Sequence, residues 1–236
     1  MSMLLNPYRY GAGGGSDPYW SNVKLLCGFN GADGSTTLVD ESSVARTLTA
    51  QSTAQIDTAQ FKYGDSSLLL NGTSDYVTAP DSADFDLGSG EWTIEGFFRF
   101  TANNNNIGLC NHFDGTNGWG LFVRAGALEF NANGSTYLAS YAGWLSVRTI
   151  NQWYHICADR DAAGKVRLYL DGVMRASNTA TTAITSSTNA LAIGRLGYLG
   201  LWYMPGHIDE LRITKGTGRY ASDSGFTAPT AAYPRS

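Results

Sequence analysis

The segment Gly206-His207-Ile208-Asp209-Glu210-Leu211-Arg212-Ile213-Thr214-Lys215-Gly216 reads as a strand with two unlike faces. Side chains alternate with a period of two along a strand, which sets Asp209 on the parity of Leu211 and Ile213. A carboxylate on an apolar face needs a cation, hydrogen-bond donors or a metal, because an unpaired buried charge is costly. The segment therefore predicts a strand of a β-sandwich, with a stabilising ion near the sheet edge as one way to satisfy Asp209. It does not look like catalytic machinery.

The same period recurs upstream. Trp92, Ile94, Phe98 and Phe100 share one parity, with Glu91, Thr93, Glu95 and Arg99 on the other, the polar face of a half-buried strand. Val166, Leu168 and Leu170 alternate with Arg167, Tyr169 and Asp171. That run stops at Asp171-Gly172 and resumes at Val173, a hairpin signal because a type I′ turn needs positive φ at both central positions. No stretch of helical period reaches 12 residues, so any helix is short. Strands separated by turns over most of the chain predict an all-β, two-sheet antiparallel sandwich spanning residues 23–236.

Residues 1–22 differ. Asn6-Pro7-Tyr8-Arg9-Tyr10, the glycine run 11–15 and Asp17-Pro18-Tyr19-Trp20 carry no period, and predict a flexible N-terminal arm. Tyr8, Tyr10, Tyr19 and Trp20 make this arm too aromatic for a mere spacer, so it reads equally as a frayed end or as an anchor on a neighbouring subunit, which Pro7 and these four rings would form.

Bulk properties exclude several classes. Charged residues are 15% of the 236 and the net charge is -4, with no basic stripe, so nucleic acid is not an expected partner. No run approaches the roughly 20 apolar residues of a membrane span, and the first residues lack the features of a signal peptide. The three cysteines, Cys27, Cys110 and Cys157, are an odd number without metal-ligand spacing. Cys27 and Cys157 sit in apolar runs and read as core thiols made in a reducing compartment.

Seven fragments in order carry a family likeness: Leu26-Cys27-Gly28-Phe29-Asn30-Gly31, Lys62-Tyr63-Gly64-Asp65-Ser66-Ser67-Leu68, Asn71-Gly72-Thr73-Ser74-Asp75-Tyr76-Val77, Glu91-Trp92-Thr93-Ile94-Glu95, Trp153-Tyr154-His155, Leu168-Tyr169-Leu170-Asp171-Gly172 and Ile208-Asp209-Glu210-Leu211-Arg212-Ile213. Together, over roughly residues 24–230, they resemble the concanavalin A-like, laminin-G-like jelly-roll domains. The stretch Ile213 to Tyr220, with Phe226-Thr227-Ala228-Pro229-Thr230 and the opening Asn6 to Tyr10, is similar to versions carried on tailed-bacteriophage virion proteins. The resemblance implies a non-catalytic structural or decoration protein on the capsid or tail surface, with weak glycan adhesion. It implies assembly in the host cytoplasm, virion proteins as partners through the arm, and a homo-oligomer, most simply a trimer. A carbohydrate-binding adhesin for host surface polysaccharide is the alternative.

The resemblance also implies one structural Ca2+, with Asp209 as carboxylate ligand and Asn30 and Gly72 supplying carbonyl or amide oxygens. The competing reading is that Asp209 pairs with an arginine or accepts backbone N–H bonds. Asp33, Asp75 and Asp171 fit turn positions instead. For sugar, the platform residues are Trp144, Tyr141, Tyr198, Trp202 and Tyr203. The run 198–204 is apolar enough to be core, or an interface if exposed.

Related hydrolases use a Glu-x-Asp-x-Glu strand, to which Glu91-Trp92-Thr93-Ile94-Glu95 is the nearest match, with Thr93 where the central Asp should be. Residues four apart on a regular strand lie about 13 Å from each other, whereas glycoside hydrolysis wants carboxyl groups within about 10 Å. The three histidines show no zinc spacing and there is no nucleophile elbow. No catalytic residue is expected.

Overall fold

Alternation becomes strand wherever the sequence carries it. The computed structural model describes residues 15–134 and 136–236. Its strands are β1 (Val23–Cys27), β2 (Thr49–Gln51), β3 (Gln55–Asp57), β4 (Ser67–Asn71), β5 (Tyr76–Ala79), β6 (Trp92–Phe100), β7 (Ile107–Phe113), β8 (Gly118–Arg124), β9 (Ala127–Ala132) and β10 (Thr136–Tyr141). After one helical turn, α1 (Trp144–Val147), come β11 (Trp153–Arg160), β12 (Lys165–Leu170), β13 (Val173–Thr179), β14 (Leu191–Ile193) and β15 (Pro205–Lys215). No helix among the described residues is long and apolar enough to cross a membrane.

The strands form two antiparallel sheets. One has eight strands in the order β13-β12-β11-β6-β15-β4-β3, with β1 paired to β15; the other runs β10-β9-β8-β7-β14-β5-β2. Their inner faces meet in a single core. Trp92, Ile94, Phe98 and Phe100 of β6 supply one side, and Trp119, Leu121 and Phe130 of β8 and β9 the other. Trp92 stacks on Phe130 with ring centroids 4.5 Å apart, a contact beyond simple area burial. Asp171 and Gly172 take φ of 51° and 78°, as the β12–β13 turn requires. All three cysteines are buried free thiols.

One local event alters the reading of β15. The β15–β6 register pairs Asp209 with Phe97 but Arg212 with Glu95, so two residues of β15 oppose one of β6. Glu210, at φ 49°, absorbs this bulge. A bulge reverses the parity of everything beyond it. Ile208, Leu211 and Ile213 therefore face the core, while Asp209 does not share the face of Leu211 and Ile213. The expected common face is corrected: Asp209 lies on the outer side of the eight-stranded sheet, and it is buried there.

That outer side is covered by the chain's own ends. Phe97, Val23, Leu26 and Tyr233 form a second apolar cluster, with Trp20, Tyr63 and Trp153 against it. Asp17 is buried and its N–H donates to Ser236 O at 2.6 Å. The expected arm boundary is therefore corrected as well. Tyr19 and Trp20 are half-buried parts of this cover, and Trp20–Asn22 form a 3-10 turn leading into β1. Pro7, Tyr8 and Tyr10 lie outside the described residues.

Candidate functional site

The opposite outer face, on the seven-stranded sheet, is built differently. Between β14 and β15 the chain makes a small hairpin, closed by Met204 N–H to Gly194 O at 2.8 Å and Leu196 N–H to Leu201 O at 2.8 Å. It lies flat against the sheet because two positions beneath it, Gly108 in β7 and Gly115 in the turn between β7 and β8, lack side chains. A Cβ on Gly108 would fall inside the backbone of Arg195, and one on Gly115 would meet the Tyr198 ring at 2.9 Å. Glycine within a strand marks this kind of close approach. Gly108 N–H donates to Trp202 O at 2.7 Å. The buried Asn111 side chain donates to Arg195 O at 2.6 Å and accepts from Gly197 N–H at 3.0 Å.

Aromatic side chains fasten the hairpin. Tyr198 meets Phe113 edge-on at 5.1 Å, and Trp202 meets Phe122 edge-on at 5.9 Å. Trp202 holds φ of 58°, a left-handed conformation that a tryptophan adopts only when its surroundings impose it. Even so, Tyr198 remains 40% exposed, Leu199 53% and Leu201 49%. Of the run 198–204 only Met204 is core. The core reading is thus replaced by a presented apolar ridge.

Beside the ridge lies a depression of about 230 Å³, lined by Thr78, Asn189, Ala190, Ala192, Arg195, Gly197 and Tyr198. The Arg195 guanidinium sits 3.5 Å from the centroid of the Tyr76 ring, and Tyr203 is 6.2 Å from that ring. Of the five platform residues read from the sequence, Tyr198, Trp202 and Tyr203 lie on this hairpin or directly after its tip, and Tyr198 lines the depression. Trp144 does not. It is fully buried, edge-on to Phe100 at 5.5 Å and to Tyr154 at 5.3 Å, and is corrected to a core residue. Tyr141 is half-buried under Arg175, at the end of β10 on the far edge of the sheet. Sequence reasoning missed Thr78, Asn189 and Arg195. An arginine inside Ala192-Ile193-Gly194-Arg195-Leu196-Gly197 was the available signal.

At Asp209, Oδ2 accepts the N–H groups of Lys62 at 2.7 Å and Tyr63 at 2.9 Å, as the competing reading anticipated. Oδ1 is buried with no hydrogen-bond partner. Desolvation pushes the carboxyl up to about 7 against those N–H bonds. The orphaned oxygen is what a hard cation would take. Asn30 belongs to the same neighbourhood, its Oδ1 accepting from Asp65 N–H at 3.4 Å just beyond Tyr63. Gly72 does not. It follows Asn71, which pairs with Pro205, so it is about 13 Å or more along the sheet from Asp209 and is corrected out of the set. Among the described residues no group of three or more His, Cys, Asp or Glu side chains is arranged so that it could hold a metal ion.

Glu95 is not on a half-buried face but wholly enclosed. Oε1 accepts from Arg212 Nη2 at 2.6 Å and Nε at 3.0 Å. Oε2 receives Tyr220 OH at 2.7 Å, Tyr233 OH at 3.2 Å and His155 Nε2 at 3.1 Å. Burial alone would raise its pKa, but Arg212 above all, then His155 and Arg219, hold it well below the usual carboxylate range. A carboxylate with five donors and no solvent access has no lone pair to offer a glycosidic oxygen. Asp75 acts as a turn clamp, accepting from Asn71 N–H at 3.0 Å and Thr53 N–H at 2.9 Å.

Comparison with known proteins places this geometry. Residues 71–217 match the family model described as the concanavalin A-like lectin/glucanases superfamily. A search of curated proteins returned no match. Among solved structures, the chain is similar to the binding domain of Paraclostridial Mosquitocidal Protein 1, at 15% identity and TM-score 0.64, covering 85% of this chain and 50% of that one. It is similar to the botulinum neurotoxin serotype D binding domain at 14% identity and TM-score 0.65, covering 86% and 50%. A structure of the serotype D ligand binding domain in complex with N-acetylneuraminic acid matches at 14% identity and TM-score 0.62, covering 85% and 48%. The chain spans about half the length of these structures, and at such identities the likeness shows the fold.

Proposed function

Because the chain belongs to the concanavalin A-like lectin/glucanases superfamily, on a match over more than half its length, we propose that it is a non-catalytic carbohydrate-binding domain displayed on a bacteriophage particle. The observation that carries the binding part is the face formed by Tyr198, Trp202 and Tyr203 beside the depression at Thr78 and Asn189. Rings present apolar faces to sugar C–H groups, while hydroxyl and amide groups orient the ring hydroxyls. The solved relatives are binding domains of toxins, which agrees with a binding role. The enclosure of Glu95 argues against the hydrolase reading.

The phage part rests on the likeness of residues 213–230 and of Asn6 to Tyr10 to virion proteins. The domain would decorate capsid or tail, as a trimer, with residues 1–14 docking on neighbouring virion proteins. Asp17 is fixed on the outer side of the eight-stranded sheet, so the arm starts on the face opposite the Tyr198 hairpin. Structurally, one Ca2+ held by Asp209 Oδ1 and Asn30 belongs to the same reading and would neutralise a buried carboxylate.

Two experiments test this. Mass spectrometry of purified particles should find the chain, and a variant lacking residues 1–14 should fold but be missing from them; normal incorporation refutes the anchor. On a glycan array, Tyr198→Ala should lose the binding that the intact protein shows. If the intact protein binds no glycan, the purely structural role remains and the adhesive one falls.

A further inference from the structure

We infer that the depression is a subsite for an anionic sugar, with Arg195 as its reader. The inference rests on the glycan reading above and narrows it. Arg195 carries five N–H donors, yet its side chain makes no ion pair and no hydrogen bond with any described residue, and its Nε is buried with no acceptor. Every other lining residue is uncharged, so nothing in the depression itself neutralises the guanidinium. A donor withdrawn from water without a partner is costly, and a guanidinium fork is matched by a planar two-oxygen anion.

The surroundings fix the geometry. Tyr76 stacks beneath the guanidinium at 3.5 Å, which holds its plane and leaves its edge to donate. Gly200 closes the hairpin on the other side, where a Cβ would lie 3.3 Å from Arg195 Nη1. Asn111 grips the Arg195 carbonyl, so the backbone that bears the side chain is not free to swing. Thr78 and Asn189 stand across the depression with hydroxyl and amide groups for neutral sugar positions, and Tyr198 offers an exposed ring. The chain as a whole is acidic at -4, so attraction for an anion must be local to Arg195 and should weaken with salt.

The test is an array of matched glycan pairs that differ only in charge: sialylated against desialylated chains, uronate polymers against their methyl esters, and sulfated against unsulfated sugars. The wild-type chain should bind charged members at least ten-fold more strongly, and Arg195→Gln should erase that preference. Arg195→Lys, which keeps the charge but loses the fork, should recover only part of it. Which pair responds tells carboxylate from sulfate. Equal binding of charged and neutral members, unchanged in Arg195→Gln, overturns the subsite while the glycan reading stands. Absence of binding to every member overturns both. The charged-against-neutral comparison uses only the wild-type chain, so it decides the matter even if the variants fold poorly.

Discussion

Asp17 and Arg219, 202 residues apart in sequence, form a two-pronged ion pair, with Nη1 to Oδ1 at 3.0 Å and Nη2 to Oδ2 at 2.7 Å. Neither side chain meets solvent appreciably. Arg212 bridges Asp17 to Glu95, at 3.1 Å and 2.6 Å. Two buried carboxylates thus balance two buried guanidinium groups, and the pairing stitches both chain ends to the outer face of the eight-stranded sheet.

Removing one partner leaves the other charged and enclosed, a loss of about 3–5 kcal/mol. Asp17→Asn should therefore lower unfolding free energy by that order, measured by urea denaturation. A change below about 1 kcal/mol would mean that water reaches the cluster. By the same logic a truncation ending before Asp17 is mild, and one that removes it is not.

Trp144→Ala separates core from ligand. With the ring fully buried between Phe100 and Tyr154, truncation should cost about 3–5 kcal/mol. Any glycan binding by the folded fraction should be unchanged. Thermal melts and array binding at a temperature where the variant is folded check both statements.

Where the sequence was transparent, the signal was local. The parity of Trp92, Ile94, Phe98 and Phe100 and the Asp171-Gly172 turn need no knowledge of distant residues. The bulge at Glu210 had no such signature, since a non-glycine residue at positive φ announces nothing in advance, and it reversed the assignment of Asp209. Glu95 read as part of the polar face of a half-buried strand because its partners Arg212, Tyr220 and Tyr233 come from the far end of the chain. The hairpin at 194–204 was hidden by its own hydrophobicity. Gly108, a glycine within a strand, was the trace of something lying close overhead.

Opposed carboxyl shifts set a pH window. Glu95, held far below its ordinary 4.5, contributes stability that is present above that value and lost as pH falls beneath it. Asp159 behaves in the opposite sense. Desolvation raises it to about 6, against the N–H bonds of Ala221 and Tyr220 and the charge of Arg167. Its contribution is complete below its ordinary 3.8 and fades as pH rises through about 6. Together the two groups should give a melting temperature that peaks at about pH 4 and declines until about pH 6, above which Asp159 is ionised in both states. Asp159→Asn keeps an acceptor for the same two N–H groups and should flatten the decline. A profile that rises between pH 4.5 and pH 6 would contradict the assignment.

Asp209 allows a sharper test, because a proton and a calcium ion would compete for one oxygen. With its carboxyl pushed up to about 7 by desolvation, the side chain without an ion carries an unfavourable charge at pH 8 and little at pH 5. Metal affinity falls as ligands protonate. Calcium added to chelator-treated protein should therefore raise the melting temperature at pH 8, and raise it much less at pH 5. Asp209→Asn retains an oxygen for the Lys62 and Tyr63 N–H groups and has no charge to neutralise. In chelator at pH 8 it should melt higher than the wild type and should not respond to calcium. If wild type and variant both ignore calcium at both pH values, Asp209 is an acceptor for backbone N–H groups alone, and the structural ion is removed from the account.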